Sequence, residues 1–391
     1  MALGVRRRDG VRLSILVVVP VLVVAAAMPC VSGRTCSELT GYAESVDRFR
    51  WRPVAGRVGG MRLLVLGGTN FVGRAIVADA LSRGAEVTVF NRGHTMPPPG
   101  VTSLRGDRNQ PGGLASLATG EWDIAVDTWS AAPVAVRNAA QLLKGRTDRY
   151  AYISSRSVYT GPGGPCLTEQ SPVVEASADA GADGEEVAYA PAKRGGELAA
   201  EAAFGDRTLL VRAGLILGPY EDVGRLPWWL RRLARGGPAA APGPHDLDLQ
   251  YVDARDLAQW TLDAAEAGLS GPYNVVSESG HTTMGELLDR CVQATGNVAQ
   301  LHWVTPEAVL AAGVEPWTEL PIWLPPGTLH DLLHRGDVSK ALAAGLRCRP
   351  VAETIADTWA WLSSLDSEPP QRSDRPAPGL SAEAEAKLLG L

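Results

Sequence analysis

Met61-Arg62-Leu63-Leu64-Val65-Leu66-Gly67-Gly68-Thr69-Asn70-Phe71-Val72-Gly73 decides the fold. The run from Met61 to Leu66 lacks the polar alternation of a half-exposed strand and is followed by a turn signal. That pattern suits a parallel strand buried on both faces. From Phe71 to Ser82 the spacing becomes helical, with Val72, Ile76, Val77, Ala80 and Leu81 on one side. A chain that turns directly from strand to helix needs glycine where a Cβ would clash, and the free amides at the helix start then suit a pyrophosphate. In a sequence with 43 glycines, this strand-turn-helix context is what gives the match weight.

Outward from that turn the alternation continues. Strands are expected at Glu86–Phe90, Val101–Leu104, Ile124–Asp127, Tyr150–Ser154 and Thr208–Val211, and helices at Leu114–Ala118, Val134–Leu143 and Val187–Phe204. Strand and helix in turn, with short connections, predict an α/β fold with a doubly wound parallel sheet. From Gly214 the pattern loosens, and Pro, Gly and Trp concentrate in 218–245 and 313–327. Short strands (Leu247–Val252, Tyr273–Val276) mix there with helices (Ala254–Ala267, Met284–Ala294), as in a smaller C-terminal lobe. The expected division is a dinucleotide-binding domain at 61–213, a substrate lobe at 214–365 interleaved with it, and 366–391 beyond. Within that last stretch, 366–380 reads as a Pro/Ser/Asp/Arg-rich linker and Ser381–Leu389 as a short helix.

The 391 residues are 45% hydrophobic and 20% charged, which excludes a disordered polyampholyte, a collagen and a polytopic membrane protein. The net charge of −6 divides unevenly: residues 1–60 carry nine Arg and four acids, so the remainder carries −11. An acidic body of this kind argues against nucleic-acid binding. Arg6, Arg7, Arg8 and Arg12 precede an apolar run from Leu13 to Met28 that is short for a spanning helix. Three readings of 1–60 stay open: a true start at Met61, a signal or membrane anchor through 13–28, or a loosely packed extension. Five sparse cysteines without C-x-x-C read as free thiols in a reducing compartment. A dinucleotide enzyme also needs a compartment that supplies its cofactor, so the expectation is cytoplasmic, with membrane anchoring as the alternative.

Tyr189-Ala190-Pro191-Ala192-Lys193 is Y-x-x-x-K, a rare coincidence with eight Tyr and four Lys in the chain. The spacing sets both side chains on one helix face, one turn apart. Pro191 is tolerated only in a first turn, so Tyr189 belongs at or just before the helix start. A phenol titrates near 10 in water, and a neighbouring ammonium lowers it toward proton-transfer range. After the second strand stands Phe90-Asn91-Arg92-Gly93, with no acid to bind ribose hydroxyls. A guanidinium there pairs with a 2′-phosphate, which predicts NADP over NAD with Arg92 as its ligand.

These segments resemble the short-chain dehydrogenase/reductase superfamily in its extended, epimerase/dehydratase-like branch. Its G-x-x-G-x-x-G is matched by Gly67 and Gly73, with Asn70 in place of the middle glycine, in the GGT-x-F-x-G form of an atypical subgroup. Asn tolerates left-handed backbone, so the turn is expected to survive this change. Tyr152-Ile153-Ser154-Ser155-Arg156-Ser157-Val158-Tyr159 is similar to the end of the fifth strand in that branch. Leu210–Pro219 and Gln250–Ala258 are similar to later segments, with Ala213 where most members have Pro. The resemblance implies a Rossmann domain that binds NADP or NAD through Gly67, Thr69, Asn70, Phe71, Val72, Gly73, Asn91, Arg92, Asp107 and Lys193, Asp107 lying near the adenine. It implies Ser155 (or Ser154, one residue away) orienting a carbonyl or alcohol, Tyr189 as proton donor and acceptor, and Lys193 on the nicotinamide ribose. The implied activity is an oxidoreductase or epimerase on a small carbonyl, alcohol or sugar-derived substrate, with a homodimer as the usual assembly. The other class is a non-catalytic redox sensor, regulator or RNA-binding relative; the intact Tyr189/Lys193 pair and the acidic body favour the enzyme. His330 and His334 lack a third ligand and read as structural or solvent-facing, so no metal is expected. Trp228, Trp229, Trp303, Trp317 and Trp323 read as core before pocket.

Overall fold

The computed structural model describes residues 60–161 and 166–391, so the apolar run 13–28, Cys30 and Cys36 lie outside the described residues. The first part of the chain forms β1 (Arg62–Leu66), α1 (Phe71–Ser82), β2 (Glu86–Asn91), β3 (Thr102–Arg105), β4 (Trp122–Asp127), α2 (Pro133–Leu143), β5 (Thr147–Ser155), α3 (Tyr189–Phe204) and β6 (Thr208–Ala213). Then come β7 (Leu215–Leu217), α4 (Arg225–Ala234), β8 (Gly237–Pro242), β9 (Asp248–Leu249), β10 (Tyr251–Asp253), α5 (Ala254–Glu266) and β11 (Gly271–Val275). The chain finishes with β12 (Thr282–Thr283), α6 (Met284–Ala294), β13 (Ala299–Val304), α7 (Pro306–Ala311), α8 (Thr328–His334), α9 (Ser339–Ala343), α10 (Val351–Ser363) and α11 (Ala382–Leu389).

Seven parallel strands make the main sheet in the order β11-β6-β5-β4-β1-β2-β3. The order reverses between β1 and β4, and the crevice at their carboxyl ends is where such sheets bind ligands. Successive side chains of β1 face opposite layers. Leu63 and Val65 join Ile76, Val77 and Ala80 of α1 and Leu257 and Leu262 of α5. Leu64 and Leu66 join Val136 and Leu143 of α2 and Ala199 and Phe204 of α3. Both faces of β1 are covered, which is why its sequence shows no alternation. A separate core gathers α4, α6 and α10 around Trp229 and Trp323. Both indoles are fully buried, and each N–H donates to a backbone carbonyl, of Pro321 and Gly243 respectively. Among the described residues no helix is long and apolar enough to cross a membrane.

Two segments differ from the sequence expectation. Leu247–Val252 is not one strand: β9 pairs antiparallel with β12 and β10 pairs parallel with β7, and Gln250 separates them. The Gln250 side chain is fully buried, donating to the carbonyls of Ser277 and Gly336 and accepting from Arg156 and the Gly336 amide. No hydrophobic period marks such a junction. Leu114–Ala118 shortens to a 3-10 turn at Ala115–Leu117.

At the end of β4 the Asp127 carboxylate is fully buried. It accepts two 2.7 Å bonds from Arg108, one of 2.5 Å from the Tyr150 hydroxyl and one of 2.9 Å from the Trp129 amide. Burial pushes its pKa up, but the Arg108 charge and these bonds outweigh that and hold it below the usual carboxylate value. Arg108→Ala leaves this carboxylate buried without its cation. Urea denaturation should show a loss of about 3 kcal/mol; a loss below about 1 kcal/mol would class the pair with surface ion pairs.

Candidate active site

The turn Gly67–Gly73 sits at the crevice between β1 and β4. A Cβ on Gly73 would come within 2.2 Å of the Gly67 carbonyl oxygen, and one on Gly67 within 2.3 Å of the Thr128 hydroxyl. Gly67 has φ 105°, a conformation that glycine alone adopts readily. Asn70 corrects the sequence reading: it is extended (φ −120°, ψ 151°), so it needs no left-handed tolerance, and the positive φ falls instead on Phe71 at 26°. Asn70 is the N-cap of α1 but its side chain makes no capping bond, so among the described residues the amides of the first turn keep no side-chain cap. Thr69, Phe71 and Val72 are half-buried around them.

At the end of β2, Asn91 Oδ1 accepts the Gly93 amide at 2.7 Å, while its Nδ2 is buried with no partner among the described residues. Arg92 is exposed and makes no ion pair among the described residues. Arg105 of β3 stands opposite Asn91 in the strand register and packs its guanidinium on Gly93. The Asp107 carboxylate accepts the Asn109 amide at 3.0 Å and closes the turn after β3. A glycine cradle that a Cβ would fill, an uncapped helix start, an orphaned amide donor and an exposed Arg fit a dinucleotide.

Tyr189 is the first residue of α3, as Pro191 requires. It is 39% exposed, and its hydroxyl has no hydrogen-bond partner among the described residues. Lys193, one turn on, is 3% exposed. Its Nζ donates to the carbonyls of Trp129 (2.6 Å) and Ile153 (2.7 Å), so the ammonium is tied to the carboxyl ends of β4 and β5 and not to Tyr189. Burial pulls the Lys193 pKa from 10.5 down to about 7, against the opposing charge of Asp127. The two serines at the end of β5 separate in role. Ser154 Oγ donates to the buried Glu197 carboxylate at 2.7 Å, and Glu197 also holds Arg212 at 2.8 and 2.9 Å. Ser155 Oγ accepts the Ser157 amide and donates to the Ser157 hydroxyl, both at 3.1 Å. Glu197 lies one turn beyond Lys193, a spacing that marks it as a third member of that face in hindsight.

A cavity of about 1010 Å³ takes in Tyr189. It is bounded by Arg108–Ala115, Ser130–Ala132, the outer side of α2, the segment before α3, and Asp374 and Arg375. No residue of the glycine turn lines it, so the cofactor assignment rests on the backbone cradle and not on this cavity. Residues 366–380, expected as a linker, carry no helix or strand but are not free of the fold: Arg375 lies over the Tyr189 ring at 5.0 Å. His330 and His334 are buried in the lobe. His330 Nε2 meets the Asp248 carbonyl, and His334 Nδ1 accepts the Gln250 amide. Among the described residues no three candidate ligands gather to hold a metal.

No protein-family model matches the chain, and no curated protein does. Solved structures do. The UDP-glucose 4-epimerase of Thermus thermophilus in complex with NAD aligns at TM-score 0.57 and 21% identity, over 78% of this chain and 99% of that one. Bordetella bronchiseptica WbmG in complex with NAD and UDP aligns at 0.57 and 19%, over 78% and 96%. WbmH of the same organism, in complex with NAD+, aligns at 0.56 and 19%, over 78% and 99%. What is shared at these identities is the fold.

The buried amine has a measurable signature. Between pH 7 and 10.5 the unfolded chain keeps Lys193 protonated while the folded chain does not. The unfolded state then binds more protons, so Lys193 makes stability rise with pH through that window and withholds the full amount below it. In the cofactor-free protein, Lys193→Met should remove that rise. Urea midpoints measured across the window for both proteins check this, and parallel profiles would show that Lys193 titrates normally.

Proposed function

We propose that the chain is an enzyme of the short-chain dehydrogenase/reductase kind. It uses a nicotinamide dinucleotide, NADP in preference to NAD, to oxidise and reduce a small carbonyl, alcohol or sugar-derived substrate, as a reductase or an epimerase. The observation that carries this reading is the placement of Lys193: its amine is buried at the carboxyl ends of β4 and β5, one helical turn from an exposed Tyr189, on the sheet edge that also carries the glycine cradle. The fold it shares with NAD-bound epimerases supports the same conclusion by analogy. The turn Gly67–Gly73 and the α1 amides would hold the pyrophosphate, Asn91 and Arg92 the adenosine ribose and its 2′-phosphate, and Lys193 the nicotinamide ribose. Residues 214–365 are the substrate lobe of this reading.

A bound nicotinamide supplies the hydride acceptor or donor. Tyr189 takes the proton from the substrate hydroxyl as hydride leaves the carbon, and returns it to the carbonyl oxygen in the reverse direction. Lys193, at about 7, stands close to an even balance of charged and neutral forms at neutral pH and keeps one ammonium donor beyond its two carbonyl bonds. Ser155 orients the substrate oxygen, because among the described residues its hydroxyl bonds Ser157 alone, whereas Ser154 is committed to Glu197.

Two measurements test this. NADPH oxidation across a panel of carbonyl substrates should reveal turnover, and Tyr189→Phe should lower kcat by about a hundredfold or more; equal rates would sink the catalytic assignment. Arg92→Ala should weaken NADPH binding by about tenfold and leave NADH nearly unchanged. If NADH binds better than NADPH and the variant keeps that preference, the cofactor assignment is wrong.

A further inference from the structure

The start of α1 carries the opposite charge to the one its backbone favours. Aligned peptide dipoles leave partial positive charge on the first-turn amides, which suits a carboxylate there and not a cation. The first turn of α1 holds no acid, and its fourth residue is Arg74, directly after Gly73 of the cradle. The Arg74 amide bonds back to the Asn70 carbonyl at 3.1 Å, so the amides of Phe71, Val72 and Gly73 stand ahead of the first intrahelical bond. Helical side chains lean toward the N-terminus, which carries the Arg74 guanidinium toward those amides. Asp79, the one acid of this helix, is paired with Arg83 at 2.7 Å.

An aromatic ring holds Arg74 where it is. Its guanidinium carbon lies 4.3 Å from the centre of the Tyr220 ring, and it makes no ion pair among the described residues. Tyr220 follows β7 and is 40% exposed. Its ring also meets Trp361 of α10, with 5.2 Å between centroids, and Trp361 belongs to the core of the lobe. Tyr220 has φ 67°, a left-handed conformation that a bulky residue rarely takes and that persists only where the surroundings fix it. Glu221, next in the chain, is fully buried, and its carboxylate accepts the amides of Arg225 and Leu226 at 2.8 and 3.2 Å. A guanidinium stacks through its face and donates through its edge, so the stack leaves the in-plane N–H groups of Arg74 available to an oxyanion. The half-buried cation, the free amides beside it and the glycine cradle before it lie on one short stretch of chain.

We propose that Arg74 is a further ligand of the dinucleotide's pyrophosphate, kept in place by the Tyr220 ring, so that bound cofactor ties the start of α1 to the lobe. The inference rests on reading Gly67–Gly73 as the cradle of a nicotinamide dinucleotide. It is separate from the role given to Arg92, because NAD and NADP share the pyrophosphate and only NADP carries the 2′-phosphate. Calorimetric titration of the full chain with NADH and with NADPH tests it. Arg74→Ala should weaken both dinucleotides by the same factor, about tenfold, whereas Arg92→Ala weakens NADPH alone. Arg74→Gln keeps much of the side-chain length and loses the charge, so it should show the same loss. Tyr220→Leu breaks the same stack and keeps the cation, so it should lose less affinity than Arg74→Ala. An equal loss in Tyr220→Leu overturns the proposal and leaves the stack as a structural contact. A loss confined to NADPH overturns it too, by moving Arg74 to the 2′-phosphate. Wild-type affinity for both dinucleotides in both Arg74 variants removes this inference alone. A wild-type chain that binds neither dinucleotide saturably removes the cofactor reading and this inference with it.

Discussion

The Gly67 carbonyl occupies the space where a Cβ on Gly73 would fall, 2.2 Å away. That contact fixes how closely the first turn of α1 approaches the end of β1, and with it the aim of the α1 amides into the crevice beside β4. Gly68 is held as tightly from the other side, because a Cβ there would meet Val77 of α1 and Val89 of β2, each at 2.8 Å. The helix is therefore held against the two strands by two absent methyl groups. Its apolar face, Ile76, Val77 and Ala80, can then close on the sheet alongside α5. Any side chain at these positions would lift the helix and open the layer beneath it.

Opposite this contact, the far side of the crevice is organised by buried charge. Asp127 ends β4 with Arg108 and Tyr150 upon it, and Glu197 gathers Ser154, Arg194 and Arg212 beneath α3. Lys193 lies between these two clusters and bonds only carbonyls. Each carboxylate has its cation, and among the described residues the lysine has no carboxylate of its own. The arrangement places a poorly compensated charge of the sheet edge next to the candidate proton-transfer group, where perturbed titration is most often functional.

What was legible in the sequence was local. Strand-to-helix switches show in the periodicity, and Pro191 placed Tyr189 at a helix start because proline restricts the chain to one or two positions. The Gly67–Gly73 turn was legible for the same reason, although the strain assigned to Asn70 belongs to Gly67 and Phe71. Pairings across the fold were not legible. Arg108 meets Asp127 only because the turn after β3 folds over β4, and Gln250 reads as part of one strand although four side-chain bonds to three residues hold it at a junction. The bond that ties Ser154 to Glu197 was likewise hidden, since it joins residues 43 positions apart. Residues 366–380 looked like a linker because composition reports the lack of regular structure and says nothing of where such a segment lies.

The seventh strand of the main sheet has a further consequence. β6 ends at Ala213 and its neighbour β11 begins at Gly271, so residues 214–270 must make a complete excursion before the last strand can dock. Closing a flexible loop costs entropy that grows with the logarithm of its length, and that cost precedes any ladder bond β11 can form. Two other neighbouring pairs close stretches of similar length, β1 with β4 across residues 67–121 and β5 with β6 across 156–207. All three closures are non-local, which slows assembly, and a chain in which β11 has not yet docked exposes the open side of β6 to pairing with another molecule.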